Sequence, residues 1–166
     1  VYGETHVIGP VMGHSSCIAF DGNGDGLTAP DSTDFNLSNQ PFTWEAWVNP
    51  LATIGNYPTI MEHFQSGSER TFLRLERQSS WNRVEWEVDS ASTGNFSVTA
   101  SSPAVHDAWT HVAVCRVGNV FTMYVNGVAE GTTTNSSTIP DRSAVFSIAE
   151  GAAASGGTAD SWKGYM

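Results

Sequence analysis

Asn126-Gly127 stands between two short alternating runs, Phe121 to Val125 and Val128 to Thr133. A two-residue type I′ hairpin needs positive φ at both central positions, and an Asn-Gly pair tolerates that at little cost. With Gly118-Asn119 as a second tight turn, Trp109 to Gly131 reads as three strands joined by two hairpins. That block commits the chain to antiparallel β structure before any other residue is considered.

The rest of the chain repeats the same period of two. In Phe42 to Asn49, Phe42, Trp44, Ala46 and Val48 share one face, and Thr43, Glu45, Trp47 and Asn49 share the other. In Arg83 to Asp89, Val84, Trp86 and Val88 point inward, while Arg83, Glu85, Glu87 and Asp89 are expected to face water. Further strands are expected at Cys17 to Phe20, Thr59 to His63, Thr71 to Arg77, Asn95 to Ala100 and Ala144 to Ile148. Val7-Ile8 reads as an edge strand in the weakly patterned residues 1–15, and Trp162 to Met166 as the last element. The small-residue stretch Ala149 to Ala159 reads as a surface loop. No segment keeps a helical period over 11 residues. Many short strands separated by turn residues indicate a β-sandwich or barrel.

With 166 residues the chain reads as one domain, 1–166, able to bury roughly 70% of its unfolded surface. Six Trp, eight Phe and four Tyr supply its core, and Trp44, Trp86 and Trp109 fit the inward pattern. The formal net charge is −10, with Lys163 the one lysine. Such a surface repels phosphate backbones, so nucleic acid is not an expected partner. No apolar run is long enough to insert into a membrane. Cys17 and Cys115 do not make a disulfide framework; they form either one bridge or two buried thiols. The sequence opens on Val1 rather than Met, and the expectation is a processed product or a piece of a longer protein.

Two blocks together resemble a known family. They are IAFDGNGDGLTAPDSTDFNLSNQPFTWEAWVNP, Ile18 to Pro50, and the WTHVAV and YVNG elements of Trp109 to Gly131. An FDG-x-x-D opening, an FT-x-E-x-W-V strand, a W-x-H-V-A strand and a Y-V-N-G hairpin, in that order, are similar to the laminin-G-like, concanavalin A-like jelly rolls. Trp162 to Met166 resembles the start of the family's last strand, which would then be truncated at Met166. The resemblance implies an all-β, two-sheet antiparallel jelly-roll β-sandwich. Fold alone does not select an activity.

The resemblance also implies a structural Ca²⁺ near the turn Asp21 to Gly26, held by the acidic residue after FDG and by the last strand. Asp25 matches the first position, and Asp21 is the nearby oxygen donor. The same turn matches the first six positions of an EF-hand loop but has Ser32 where the bidentate Glu is required, so an EF-hand is excluded. Glycan hydrolases of this architecture carry paired carboxylates on one strand in a pattern like E-x-D-x-x-E. Glu87-Val88-Asp89 begins that pattern, but Ala91 and Ser92 stand where the second Glu belongs, and no catalytic residue is assigned. His111 reads as structural. Sugar sites combine aromatic faces with a few polar groups, which makes Trp47, Tyr57, Trp81 and Tyr124 the candidate ligand-binding residues.

The function expected is therefore a non-catalytic binding or adhesion module, carbohydrate-binding in a lectin-like way. Its place is a larger extracellular or phage-virion surface protein. Its partner is a carbohydrate or cell-surface glycan. The alternative is a structural module that decorates a virion, tail fibre or other fibre and contacts only its own assembly. A glycan hydrolase is the third reading.

Overall fold

The computed structural model describes residues 6–8, 16–52, 57–78, 81–151 and 161–166. Thirteen strands, β1(His6–Ile8), β2(Cys17–Asp21), β3(Leu27–Ala29), β4(Phe42–Pro50), β5(Thr59–Ser66), β6(Glu69–Gln78), β7(Trp81–Ser90), β8(Phe96–Thr99), β9(Thr110–Val117), β10(Val120–Val125), β11(Val128–Thr134), β12(Phe146–Ile148) and β13(Lys163–Tyr165), build it. A single 3₁₀ turn, Thr33–Phe35, precedes β4, and there is no α-helix among the described residues. Among the described residues no helix is long and apolar enough to cross a membrane.

Seven strands form one sheet in the order β1-β2-β13-β4-β9-β10-β11, and six form the other in the order β3-β12-β5-β6-β7-β8. Every pairing is antiparallel. The expected jelly-roll sandwich is the observed one. Val7 and Ile8 do form the edge strand β1 against β2. The leading hairpins are also as read. Asn126 and Gly127 have φ of 50° and 78°, as a type I′ turn requires, while at the other hairpin Gly118 alone is positive, at 59°.

Alternation places the core. From the seven-stranded sheet, Val48, Val112, Val114, Phe121 and Met123 point inward and are buried. Ile60, Leu73, Leu75, Val84, Trp86, Val88 and Val98 meet them from the six-stranded sheet. Trp86 is the hub: its ring stacks on Phe121 at 5.3 Å and meets Phe42 at 5.5 Å and Phe96 at 5.8 Å. Aromatic pairs in such contact add about 0.5–1.5 kcal/mol beyond their area burial.

Two close approaches of backbone to backbone fix the strands, one at the sheet edges and one within a sheet. On β11, Gly131 lies against the Thr99 carbonyl of β8, so the edges of the two sheets touch there. The Ser101 amide donates to the Glu130 carbonyl, and the Glu130 carboxylate accepts from the hydroxyls of Ser101 and Ser102. Inside the seven-stranded sheet, where β13 lies between β2 and β4, Gly164 packs on the Asn49 carbonyl. Ile18 and Met166 exchange amide–carbonyl hydrogen bonds of 2.8 and 3.0 Å, which tie β2 to the segment after β13.

Three expectations are corrected. Trp109 is half-buried rather than in the core. Thr110, Val112, Val114 and Arg116 are the buried face of β9, which leaves Trp109 on the opposite parity, near Tyr165 with ring centroids 6.5 Å apart. The second correction concerns β7, whose outward carboxylates do not face water: Glu85 is 5% exposed and Asp89 7%. Third, Cys17 and Cys115 are both free thiols, one of the two readings, but only Cys17 is buried. Within Ala149 to Ala159, residues 152–159 lie outside the described residues.

Candidate functional site

The outward face of the six-stranded sheet carries a band of ion pairs set by strand register. Arg70 stands opposite Asp89, Phe72 opposite Glu87, and Arg74 opposite Glu85. Across the other neighbour, Glu62 pairs with Phe72. Directly opposed side chains on one face lie close enough to interact, so register alone dictates the partners. Arg70 Nε donates to Asp89 Oδ2 at 2.7 Å. Arg74 donates through Nε and Nη2 to Glu85 Oε2 at 3.2 and 3.0 Å, and through Nη2 to Glu87 Oε2 at 3.2 Å.

Between the two arginines lies Phe72. Their guanidinium carbons sit 4.6 Å (Arg70) and 4.3 Å (Arg74) from its ring centroid. This double cation–π cover explains why an outward-facing phenylalanine is only 2% exposed. Arg74 also lies 5.1 Å from the ring of Tyr57, which is 40% exposed. The result is a column, Tyr57–Arg74–Phe72–Arg70, flanked on the β7 side by three carboxylates. Asn95 and Thr99 complete the polar set by donating to Asp89 Oδ1 and Glu85 Oε1.

Burial pushes the Glu85 carboxyl above its ordinary value, against the pull of Arg74. Glu87 is raised to about 7, first by burial and then by the charges of Glu85 and Asp89 on either side, with Arg74 opposing. Active sites and structural ion-pair networks both raise a carboxyl in this way.

Sequence-read ligand residues divide between the two faces. Tyr57 belongs to the column just described. Trp47 and Tyr124 lie on the outward face of the seven-stranded sheet. There Trp47, 42% exposed, tilts against His111 at 5.2 Å, and His111 Nε2 lies 3.4 Å from Glu45 Oε2. His111 is thus an outer-face residue. Tyr124 is half-buried on β10, opposite Ala113. The side chain of Trp81 lies outside the described residues. Reading the sequence missed Arg70, Phe72, Arg74 and Glu62; the alternation of Arg70, Phe72, Arg74 and Glu76 in β6 was the available signal.

At the Asp21 to Gly26 turn, Asp25 is buried and its Oδ2 accepts the Asp21 amide at 3.0 Å. Asp21, exposed, accepts the Asn23 amide through Oδ1 at 2.7 Å. Gly22 and Gly24 supply the positive φ values, 83° and 81°. β3 pairs with β12 through Leu27 and Ile148, so the segments bearing Asp25 and Glu150 leave the sheet at the same end. Glu150 Oε2 is buried there without a hydrogen-bond partner. A buried carboxylate, Asp25, and a half-buried one, Glu150, with an orphaned oxygen are the hard donors a Ca²⁺ prefers. No group of three or more His, Cys, Asp or Glu side chains converges among the described residues.

The profile of the laminin-G-like family, described as the concanavalin A-like lectin/glucanases superfamily, matches residues 21–166. No curated protein sequence matches the chain. Among solved structures, domain 4 of the extracellular arabinanase AbnA from Geobacillus stearothermophilus, in complex with arabinotriose, superposes with a TM-score of 0.70 at 17% identity, covering 99% of this chain and 72% of that one. The enzymatically active domain of tailspike protein 2 from bacteriophage CBA120 gives 0.67 at 11% identity, with 96% and 26% covered. Domains LG4-5 of the mouse laminin α1 chain give 0.64 at 14% identity, with 89% and 39% covered. This chain therefore spans well under half of the tailspike and laminin chains. At these identities the likeness is one of fold. Thirteen antiparallel strands in two packed sheets and a family match over residues 21–166 together place the chain in the laminin-G-like family of the concanavalin A-like lectin/glucanases.

Proposed function

We propose that the chain is a non-catalytic carbohydrate-binding module of a larger extracellular or virion-surface protein, and that it binds its glycan on the outward face of the six-stranded sheet. One observation carries this reading: the exposed Tyr57 ring stands beside Arg74, which itself holds Glu85 and Glu87, on a sheet face whose other members are largely buried. Sugar sites need an aromatic plane together with convergent donors and acceptors, and this face supplies both. The arabinotriose complex of AbnA domain 4 supports the same reading. A glycan array, followed by titration calorimetry on the retained oligosaccharides, tests it. Binding that disappears in Tyr57→Ala is the expected result. A wild-type protein that retains no glycan, yet forms stable oligomers, would favour a purely structural virion or fibre module.

A second reading rests on Glu87. A carboxyl near 7 with Glu85 bound to the same Arg74 nitrogen is the kind of pair glycan hydrolases use as acid and nucleophile. Arg74 and Thr99 already occupy Glu85, which fits a structural role better. Release of reducing sugar from polysaccharides, lost in Glu87→Gln, would establish the hydrolase instead.

The Ca²⁺ implied by the family stays part of the proposal. Asp25 and Glu150 are the side chains that would hold it, with further oxygens from the main chain, and Asp21 would stand at its rim. There the ion would neutralise the Asp25 and Glu150 carboxylates and brace the end of the six-stranded sheet.

A further inference from the structure

We propose that the outward face of the six-stranded sheet selects uncharged or amino-bearing glycans and rejects those carrying carboxylates. This rests on the carbohydrate reading above and adds the chemical class of the ligand.

The charge on the face is lopsided. Around Phe72 stand four carboxylates, Glu62, Glu85, Glu87 and Asp89, against two guanidinium groups, Arg70 and Arg74. Farther along, Glu76 and Arg83 are opposed in register and offset each other. On β8 the residues of the same rows are Ser97 and Thr99, which carry no charge. On β12, Ser147 stands opposite Glu62 and is also neutral. The whole chain repeats the sign, with a net charge of −10.

Recognition of a sugar carboxylate ordinarily uses an arginine whose planar fork is open to receive it. Neither arginine here offers that. Arg70 Nε is spent on Asp89, Nη1 lies 3.8 Å from Glu62, and its guanidinium lies on Phe72. Arg74 holds Glu85 and Glu87 and lies between the rings of Tyr57 and Phe72. An incoming carboxylate would have to compete with these partners for the two guanidinium groups, and a partner stripped away would be left as an unpaired, largely buried carboxylate. Breaking such a pair is strongly unfavourable, because the abandoned charge stays desolvated. A hydroxyl meets no such obstacle: it can donate to the Glu87 carboxylate, whose side chain is 21% exposed, without displacing an arginine. An ammonium group would gain from the surplus.

The experiment uses a glycan array that carries neutral oligosaccharides beside their sialylated and uronate-bearing counterparts, read at about pH 7.5 in roughly 50 mM and roughly 500 mM NaCl, on either side of physiological screening. Retained glycans are expected to be neutral or amino-bearing. Adding one carboxylate to a retained glycan should weaken it at least about tenfold at low salt, and by less at high salt, where the repulsion is screened. In Glu87→Gln, which keeps the shape of the side chain, the discrimination should fall by at least about threefold, as the loss of one nearby like charge implies. Asp89→Asn, which frees Arg70, should show the same change at a second position. Wild-type protein that binds acidic glycans as tightly as their neutral counterparts overturns this inference and leaves the carbohydrate reading standing. Retention of no oligosaccharide overturns both.

Discussion

Gly131 of β11 lies so close to Thr99 of β8 that a methyl group on its Cα would collide with the Thr99 carbonyl oxygen. The two residues belong to different sheets, so this contact seals one side of the sandwich. Gly131→Ala is expected to push the two edges apart and cost about 1–3 kcal/mol of stability, as overpacking does. Urea denaturation measures it. A substitution within about 0.5 kcal/mol of wild type, the range of an ordinary surface change, would show that the margin yields.

The stability of the domain should fall as pH rises through the range set by Glu87. Its carboxyl ionises near 4.5 when unfolded and at about 7 when folded. A folded value raised in this way gives stability that is complete below about 4.5 and is lost as pH climbs through about 7. Glu87→Gln holds a neutral side chain at every pH. The variant should therefore lose that slope and melt higher than wild type at about pH 8, above the folded value. Melting curves between about pH 5 and about pH 8 check both points, and an unchanged slope in the variant refutes the assignment to Glu87.

Arg74 should matter to both stability and binding. Arg74→Ala leaves Glu85 and Glu87 without their shared cation and uncovers Phe72, at a cost of about 3–5 kcal/mol. Arg74→Lys keeps the charge but loses the flat, forked geometry, and should recover only a fraction of the loss. Chemical denaturation of the two variants orders them, and equal stabilities would contradict the geometric side of the argument.

The two faces can be told apart by their aromatics. Tyr57→Ala is expected to abolish glycan retention, while Trp47→Ala, on the other sheet, should change affinity by less than about twofold. The opposite ranking would move the binding face to the seven-stranded sheet, where Trp47 meets His111.

Asp25→Ala removes the acceptor for the Asp21 amide and should cost about 1–3 kcal/mol whether or not metal is present. A separate contribution from Ca²⁺ would appear as a wild-type melting temperature that rises with added Ca²⁺ and falls in EDTA, a response expected to vanish in Glu150→Gln. A wild-type melt indifferent to both reagents removes the ion from the proposal.

Much of the architecture is legible in the sequence because a strand with one buried face writes its own alternation. Phe42 to Asn49 and Val84 to Val88 declare their inward sides, and Asn126-Gly127 declares its turn. Trp109 escapes a simple reading although the information is present: counting back from Val112 by twos reaches Thr110 and skips it. The ion-pair band is harder to see. Alternation tells which side Glu85 and Asp89 occupy, but their burial depends on Arg74 and Arg70 standing opposite, and that follows from the β6–β7 register. Glu150 is hidden for another reason. It sits in a stretch of Gly and Ala whose composition reads as loop, while its importance comes from β12 bringing it to the same end of the sheet as Asp25.

The reciprocal hydrogen bonds between Ile18 and Met166 have a mechanical meaning. These two residues are rungs at the same end of the ladder formed by β2 and the segment around β13. Tension drawn between them would load that ladder at its last rung, so the rungs would break in succession instead of resisting together in shear. A module suspended at these two points would peel open under modest force from Met166 inward, with the ion-paired sheet the last layer to feel the pull.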